Sequence, residues 1–267
     1  MTLTQVRQEP VGELIRGWRE RRRRSQLDVS IAADLSARHL SFIETGRATP
    51  SRSMIARICD ELEVPLRERN TLYLAAGFAP VHAERGYDDL GQARSAVEAV
   101  LRGSHPNPAM AVDVRWQLVA MNDAARAFFA QVTGATVDAD GSLNVLRATL
   151  HPDGLAPRIR NYVQWRAHVI RRVRRQWDRT AIPELRDLLA ELESYPVPEG
   201  AEEAPGGPEN DLVMPMRVRT EYGEMSLLYA MTLFGAPRDV TLDEIAIETF
   251  FPADQETADL LAGLTPI

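Results

Sequence analysis

Four consecutive arginines, Arg21 to Arg24, form the densest run of reactive charge in the chain. Guanidinium groups stay charged and pair with phosphate oxygens, so this run can steer a surface toward nucleic acid. A solvated helix end and loop accounts for it equally well. The other polar chemistry is scattered. His105, His151 and His168 are isolated, and Asp88 with Asp89 reads as a polar helix start. No nucleophile has an identifiable base and oxyanion site, and the glycines form no nucleotide-binding loop. The single cysteine, Cys59, excludes an intrachain disulfide or a cysteine metal cluster and reads as a buried thiol. No catalytic residue, metal ligand or cofactor is therefore nominated. A small-molecule enzyme remains a rival, which turnover of a screened metabolite would establish.

A second constellation pairs aromatic side chains with positive charge. Tyr162, Trp165, Tyr229 and Phe250 are candidates to line an apolar cavity, with Arg166 or Arg172 near a bound carboxylate. Ordinary core packing is the competing role for each aromatic. Between Arg158 and Arg179 eight arginines accompany one aspartate. Such a basic face suits DNA, an anionic headgroup, acidic parts of its own domain or plain solvation.

These residues need two cores to position them. The chain has 267 residues, 45% hydrophobic and 26% charged, which excludes a wholly disordered polymer. All 31 basic residues are arginine, against 38 acidic ones, for a net charge of -7. Residues 1–80 hold 13 arginines and 10 acids, and residues 81–267 hold 18 and 28, giving +3 and -10. A small basic module beside a larger acidic one fits one part that touches phosphates and one that does not. It also fits two unrelated domains. The first ten residues lack the basic-then-apolar order of a signal peptide, and the uncharged run Met225 to Pro237 is too short to span a bilayer. A cytoplasmic protein with no membrane span is expected.

Periodicity supplies the elements. Val11, Leu14, Ile15 and Trp18 make one helical face, followed by a charged stretch, Arg19 to Arg24, expected to stay largely exposed. Ser25 and Ser36 are placed to cap two short helices separated by a turn at Asp34, and Gly46 and Pro50 end the second. Met54 to Leu62 and Leu66 to Ala76 complete five helices. After a hinge at Gly77 to Pro80, a connector helix covers Leu90 to Arg102. Strands follow at Ala109 to Asp113 and Gln117 to Met121, then a helix capped by Asn122. A loop around Asp138 to Gly141 leads to a short helix near Asn144 to Leu150 and a turn at His151 to Gly154. A longer helix carries Ile159 to Trp177, with another around Glu184 to Leu192. The stretch Tyr195 to Asp211, rich in proline and acid, reads as an exposed loop. Leu212 to Thr220 and Glu224 to Phe234 form a hairpin, and Glu244 to Phe251 is a last strand. Together these predict a five-stranded sheet covered on one face.

The segment SQLDVSIAADLSARHLSFIETGRATPS, with the amphipathic helix after it, resembles the lambda repressor-like, or XRE-family, helix-turn-helix DNA-binding domains from Val11 to about Ala76. Two positions depart from the family pattern: Ser30 stands where alanine is common and Asp34 where glycine is common. Both are tolerable, since serine is small and aspartate can adopt a left-handed turn. The resemblance places Ala37, Arg38 and Phe42 on the face that enters the DNA major groove, with Arg38 donating to guanine and the other two packing on thymine methyls. It implies phosphate contacts from Gln26, Ser36, Ser41, Arg47 and Thr49, whose alternative roles are caps and solvated faces. Glu44 is expected to organise the domain, and His39 to lie at the surface or in packing.

The remainder resembles the MmyB-like regulator ligand-binding domain, a PAS-like fold, through DVRWQLVAMNDAARAFF, NVLRATLHPDGLAPRIRNYVQW and LFGAPRDVTLDEIAIETFFP, from Asn107 to about Ala262. The resemblance implies a pocket for a fatty acid or another amphipathic small molecule. The expected architecture is thus multidomain: an all-α helix-turn-helix domain over 10–80, a helical connector over 81–106, and an α+β PAS-like domain with an antiparallel sheet over 107–267. The expected function is ligand-responsive, sequence-specific transcription regulation on double-stranded operator DNA, acting as a homodimer. A structural or protein-interaction scaffold is the other alternative.

Overall fold

The computed structural model describes residues 9–130, 141–201 and 214–264. The expected loop residues 138–140, the acidic proline-rich residues 202–211 and the first two residues of the strand expected from Leu212 lie outside that range. The chain divides into two compact units: residues 1–84 with 178–180 and 237–243, and residues 85–177, 181–236 and 244–267.

The first unit is built on five helices, α1 (Val11–Arg21), α2 (Gln26–Ala32), α3 (Ala37–Glu44), α4 (Arg52–Glu61) and α5 (Leu66–Ala75). Serines start the middle three, because a serine oxygen accepts a backbone N–H that has no partner in the first turn. Ser25 accepts from Asp28, which returns its carboxylate to the Ser25 N–H; Ser36 accepts from His39 and Ser51 from Met54. The break between α2 and α3 is left-handed at Asp34, with φ 52°. Arg57 on α4 donates to both the Asp34 carbonyl and its carboxylate. Ser30 is buried and donates to the Leu27 carbonyl, so it fits where bulk would not. Ile15, Val29, Leu40, Ile43, Ile55 and Leu72 fill the core. Cys59 lies fully inside it, and burial pushes its thiol pKa up to about 12.

Two features of this unit were not foreseen. Gly12 brings α1 against the end of α3 so closely that an added Cβ would stand 2.2 Å from the Ile43 carbonyl oxygen. The arginine stretch is also less exposed than expected. Arg19 is drawn into the domain by Glu44. Arg22 donates to the Leu62 and Glu63 carbonyls while lying over the Trp18 ring. These side chains fasten the end of α1, so the run supplies fewer groups for phosphates than its composition suggests.

The rest of the chain runs α6 (Gln92–Gly103), β1 (Ala109–Val112), β2 (Leu118–Met121), α7 (Asp123–Phe129), α8 (Val145–Leu150), α9 (Tyr162–Thr180), α10 (Pro183–Ser194), β3 (Met216–Thr220), β4 (Gly223–Leu233), α11 (Val240–Glu244), β5 (Ala246–Pro252) and α12 (Gln255–Leu264). The five strands form one antiparallel sheet in the order β2-β1-β5-β4-β3. Asn122 caps α7 as expected and also ties down the Ala109 N–H.

Four expectations are corrected. The sheet is not covered on one face alone. Met110, Val112 and Phe250 face the main core with α7 to α10. The alternating residues Ala109, Ala111 and Ile247 are buried as well, where α6 packs on β1 and β5. Next, α9 starts at Tyr162, and Ile159 bridges to Val218 instead of belonging to the helix. The expected β3 is shorter, beginning at Met216. Finally, α11 and α12 form where no helix was expected.

Candidate nucleic-acid interface and ligand cavity

On α3 the inward residues Leu40 and Ile43 fix which side faces out. Arg38 is exposed and its guanidinium lies 5.3 Å from the centre of the Phe42 ring, one turn along. This i, i+4 pair presents a planar donor fork backed by an apolar surface. Ala37 and Ser41 are partly exposed beside it, and Arg47 and Thr49 are exposed on the following loop. Ser36 uses its oxygen as the helix cap, leaving its hydroxyl hydrogen to donate elsewhere.

What holds α3 in place is a buried charge network. Arg19 donates twice to Glu44, at 2.7 Å and 2.9 Å, and a third time to the Arg24 carbonyl at 3.0 Å. Gln26 donates to the second Glu44 oxygen at 2.8 Å. The side-chain exposures are 12% for Arg19 and 2% for Glu44. Glu44 therefore ties α1, α2 and α3 together, the organising role expected for it. Gln26, expected on a phosphate, spends at least one amide hydrogen on this network.

The second unit contains a cavity of about 420 Å³, counted out to its mouth, between α8, α9 and the sheet. Its enclosed part has room for a guest of water size, so a larger ligand must displace side chains. Trp165, His168, Val169 and Arg172 reach it from one face of α9 at spacings of three and four residues. Tyr229 comes from β4, and Glu248 and Phe250 from β5. Arg172 approaches Glu248 at 2.6 Å and lies 4.2 Å over Trp116 and 4.9 Å over Tyr229. It also donates to the Met231 sulfur. His168 shares a 2.5 Å hydrogen bond with the Tyr229 hydroxyl and stacks on Trp165 with ring centres 5.6 Å apart. Burial first, then Arg172, Arg171 and Arg175, holds the His168 pKa below its usual value, so the ring is neutral at pH 7.

Trp116 is placed by a strained turn between β1 and β2. Its φ is 68°, a left-handed conformation that a bulky residue adopts at a cost of about 1–3 kcal/mol. The indole N–H is held by Gln176 of α9 at 2.8 Å. The strain thus supports one of the two aromatic platforms for Arg172.

Of the six residues expected at a pocket, Trp165, Arg172, Tyr229 and Phe250 line this cavity. Tyr162 and Arg166 do not. Tyr162 is fully buried and donates to the Leu150 carbonyl, and Arg166 turns to the Leu192 and Glu193 carbonyls near the end of α10. Successive helical positions differ by about 100°, which sends residue 166 away from the face of 165, 169 and 172. His168, Glu248 and Trp116 were missed. The spacing of His168 from Arg172 and the alternation of Glu248 with Phe250 contained the signal for two of them.

Residues 93–264 match the family described as MmyB-like transcription regulator ligand binding domain. The chain belongs to that family. Residues 10–72 of this MmyB-like regulator match a helix-turn-helix domain family. Over 58 residues, or 22% of the chain, it is 41% identical to "Transcriptional regulator ClgR" of Mycobacterium tuberculosis, in strains CDC 1551 / Oshkosh and ATCC 25618 / H37Rv. The chain spans about half the length of these curated relatives, 52% in each case. By these matches the chain joins a helix-turn-helix domain to a ligand-binding domain of MmyB-like transcription regulators. Among the described residues no helix is long and apolar enough to cross a membrane.

Proposed function

We propose that the helical unit reads a specific operator as a homodimer, with the Arg38 and Phe42 face of α3 in the major groove, and that a small amphipathic molecule in the C-terminal cavity shifts this binding. The Arg38–Phe42 pair, exposed at Arg38 and half-buried at Phe42, carries the reading, since a guanidinium fork beside an apolar ring matches guanine next to a thymine methyl. Ala37 lies on the same face, while Ser36, Ser41, Arg47, Thr49 and the free part of the Gln26 amide serve as phosphate contacts. Two recognition helices in a dimer address two half-sites. The α+β unit is PAS-like in this reading, and a fatty acid is one candidate guest. Its occupancy acts only if DNA-competent and DNA-incompetent arrangements bind it unequally.

Selection from randomised duplexes tests the reading. Arg38→Ala should relax preference at one base position, with about 1–3 kcal/mol of discrimination lost there. Arg47→Ala should weaken all sequences alike and lower the slope of log affinity against log salt by about 1. No duplex preference in the unaltered protein would favour a scaffold and sink the regulator assignment of this face.

A further inference from the structure

The outer side of β4 is left open where β3 stops. β3 pairs with β4 from Thr220–Gly223 to Met216–Leu227, whereas β4 runs on against β5 to Leu233. Among the described residues no strand lies beside Leu228 to Leu233 on that side. Phe250, opposite Tyr229, sends its N–H away from β4 to the Pro108 carbonyl. That pair therefore exchanges no bonds, and Tyr229, Met231 and Leu233 turn their N–H and C=O groups outward. Along β3 the edge is guarded: it carries Arg217 and Arg219, Arg160 donates its N–H to the Arg217 carbonyl, and Ile159 bridges to Val218. The continuation along β4 lies in the uncharged run Met225 to Pro237, with Met231 45% and Leu233 62% exposed. An uncharged, apolar edge of this kind is a template for another strand.

We infer that this edge pairs antiparallel with the same edge of a second copy, joining two sheets across a two-fold axis. The inference rests on the homodimer proposed above and names its interface. The outward groups fit one register, with Met231 opposite Met231 of the partner subunit and Tyr229 opposite Leu233 of the partner subunit. Outward-facing residues then meet only one another, and each pair exchanges both backbone bonds. Their side chains make apolar cross-strand contacts on the core face. Charge selects a second copy as the occupant. Residues 81–267 carry a net -10, so two copies repel overall, and this run lets them meet with no like charges opposed. A charged peptide finds no opposite charge on the edge to pair with. Tyr229 lines the cavity as well, so ligand site and seam share a side chain.

Analytical ultracentrifugation of the full chain should show a dimer. In Met231→Cys the new thiols stand across the axis at the Cα spacing of a hydrogen-bonded pair, about 5.5 Å, which is within disulfide reach. Cys59 is buried and stays out of the reaction. Mild oxidation should therefore link most chains into covalent dimers, whereas Tyr222→Cys, at the exposed hairpin turn, should link few. Leu233→Pro deletes an outward N–H and leaves the β4–β5 bonds in place, so the dimer dissociation constant should rise about tenfold or more. A monomeric unaltered chain overturns the inference together with the homodimer reading. A dimer that Met231→Cys does not link, or that a folded Leu233→Pro chain forms as tightly, overturns this interface alone. The crosslinking result does not need Leu233→Pro to fold.

Discussion

Each unit buries one arginine–glutamate pair, and the two are built differently. Arg19 and Glu44 meet through two aligned hydrogen bonds, and the remaining groups go to Gln26 and the Arg24 carbonyl. Arg172 and Glu248 are as close, but the guanidinium leans on aromatic faces and no aligned hydrogen bond joins the two. Charges withdrawn from water are tolerated when every donor and acceptor is used, and a partly satisfied pair stays available for exchange. The first pair fixes three helices around a recognition surface. The second stands at the rim of a cavity whose contents can change.

The sharpest way to break this comparison is to neutralise each anion in turn. Glu44→Gln should destabilise the helical unit by about 3 kcal/mol or more, since Arg19 loses its buried countercharge. Glu248→Gln should cost the second unit about 1 kcal/mol, because Arg172 keeps both ring contacts. Segment-resolved hydrogen exchange reads the two separately, and equal losses would erase the distinction. Gly12→Ala ranks next. A methyl group at that position runs into backbone, so the α1–α3 seam that carries Arg19 and Glu44 should lose about 1–3 kcal/mol, seen as a lower unfolding midpoint for the same helices.

Acidification should separate the units with the smallest effect. His168 is surrounded by Arg171, Arg172 and Arg175 of its own helix, Tyr229 of β4 and Glu248 of β5. Its folded pKa is depressed, so the unfolded chain takes up the proton first. The stability this group contributes is complete above about pH 6.5 and is lost as pH falls through that value toward the folded pKa. Melting between about pH 8 and 5.5 should show the decline in the β4–β5 region, and His168→Gln should flatten it. The same slope in that variant would assign the effect elsewhere.

Local signals in the sequence were reliable. Ser25, Ser36 and Asn122 cap the helices they precede, and Asp34 and Gly46 adopt the left-handed turns their types permit. Long-range pairing was less legible. Arg19 finds Glu44 twenty-five positions away, and nothing in an arginine run says which member will turn inward. Glu248 looked like one acid in an acidic half until β5 faced it toward α9. Arg166 and Arg172 looked interchangeable until helical phase separated them.

Cys59 gives the molecule a built-in clock. A thiol with no surface and a pKa near 12 ignores alkylating reagents as long as the five helices stay closed. With no second cysteine in the chain, every adduct that forms dates an opening of the module that carries α3, and its rate reports how often that module comes apart.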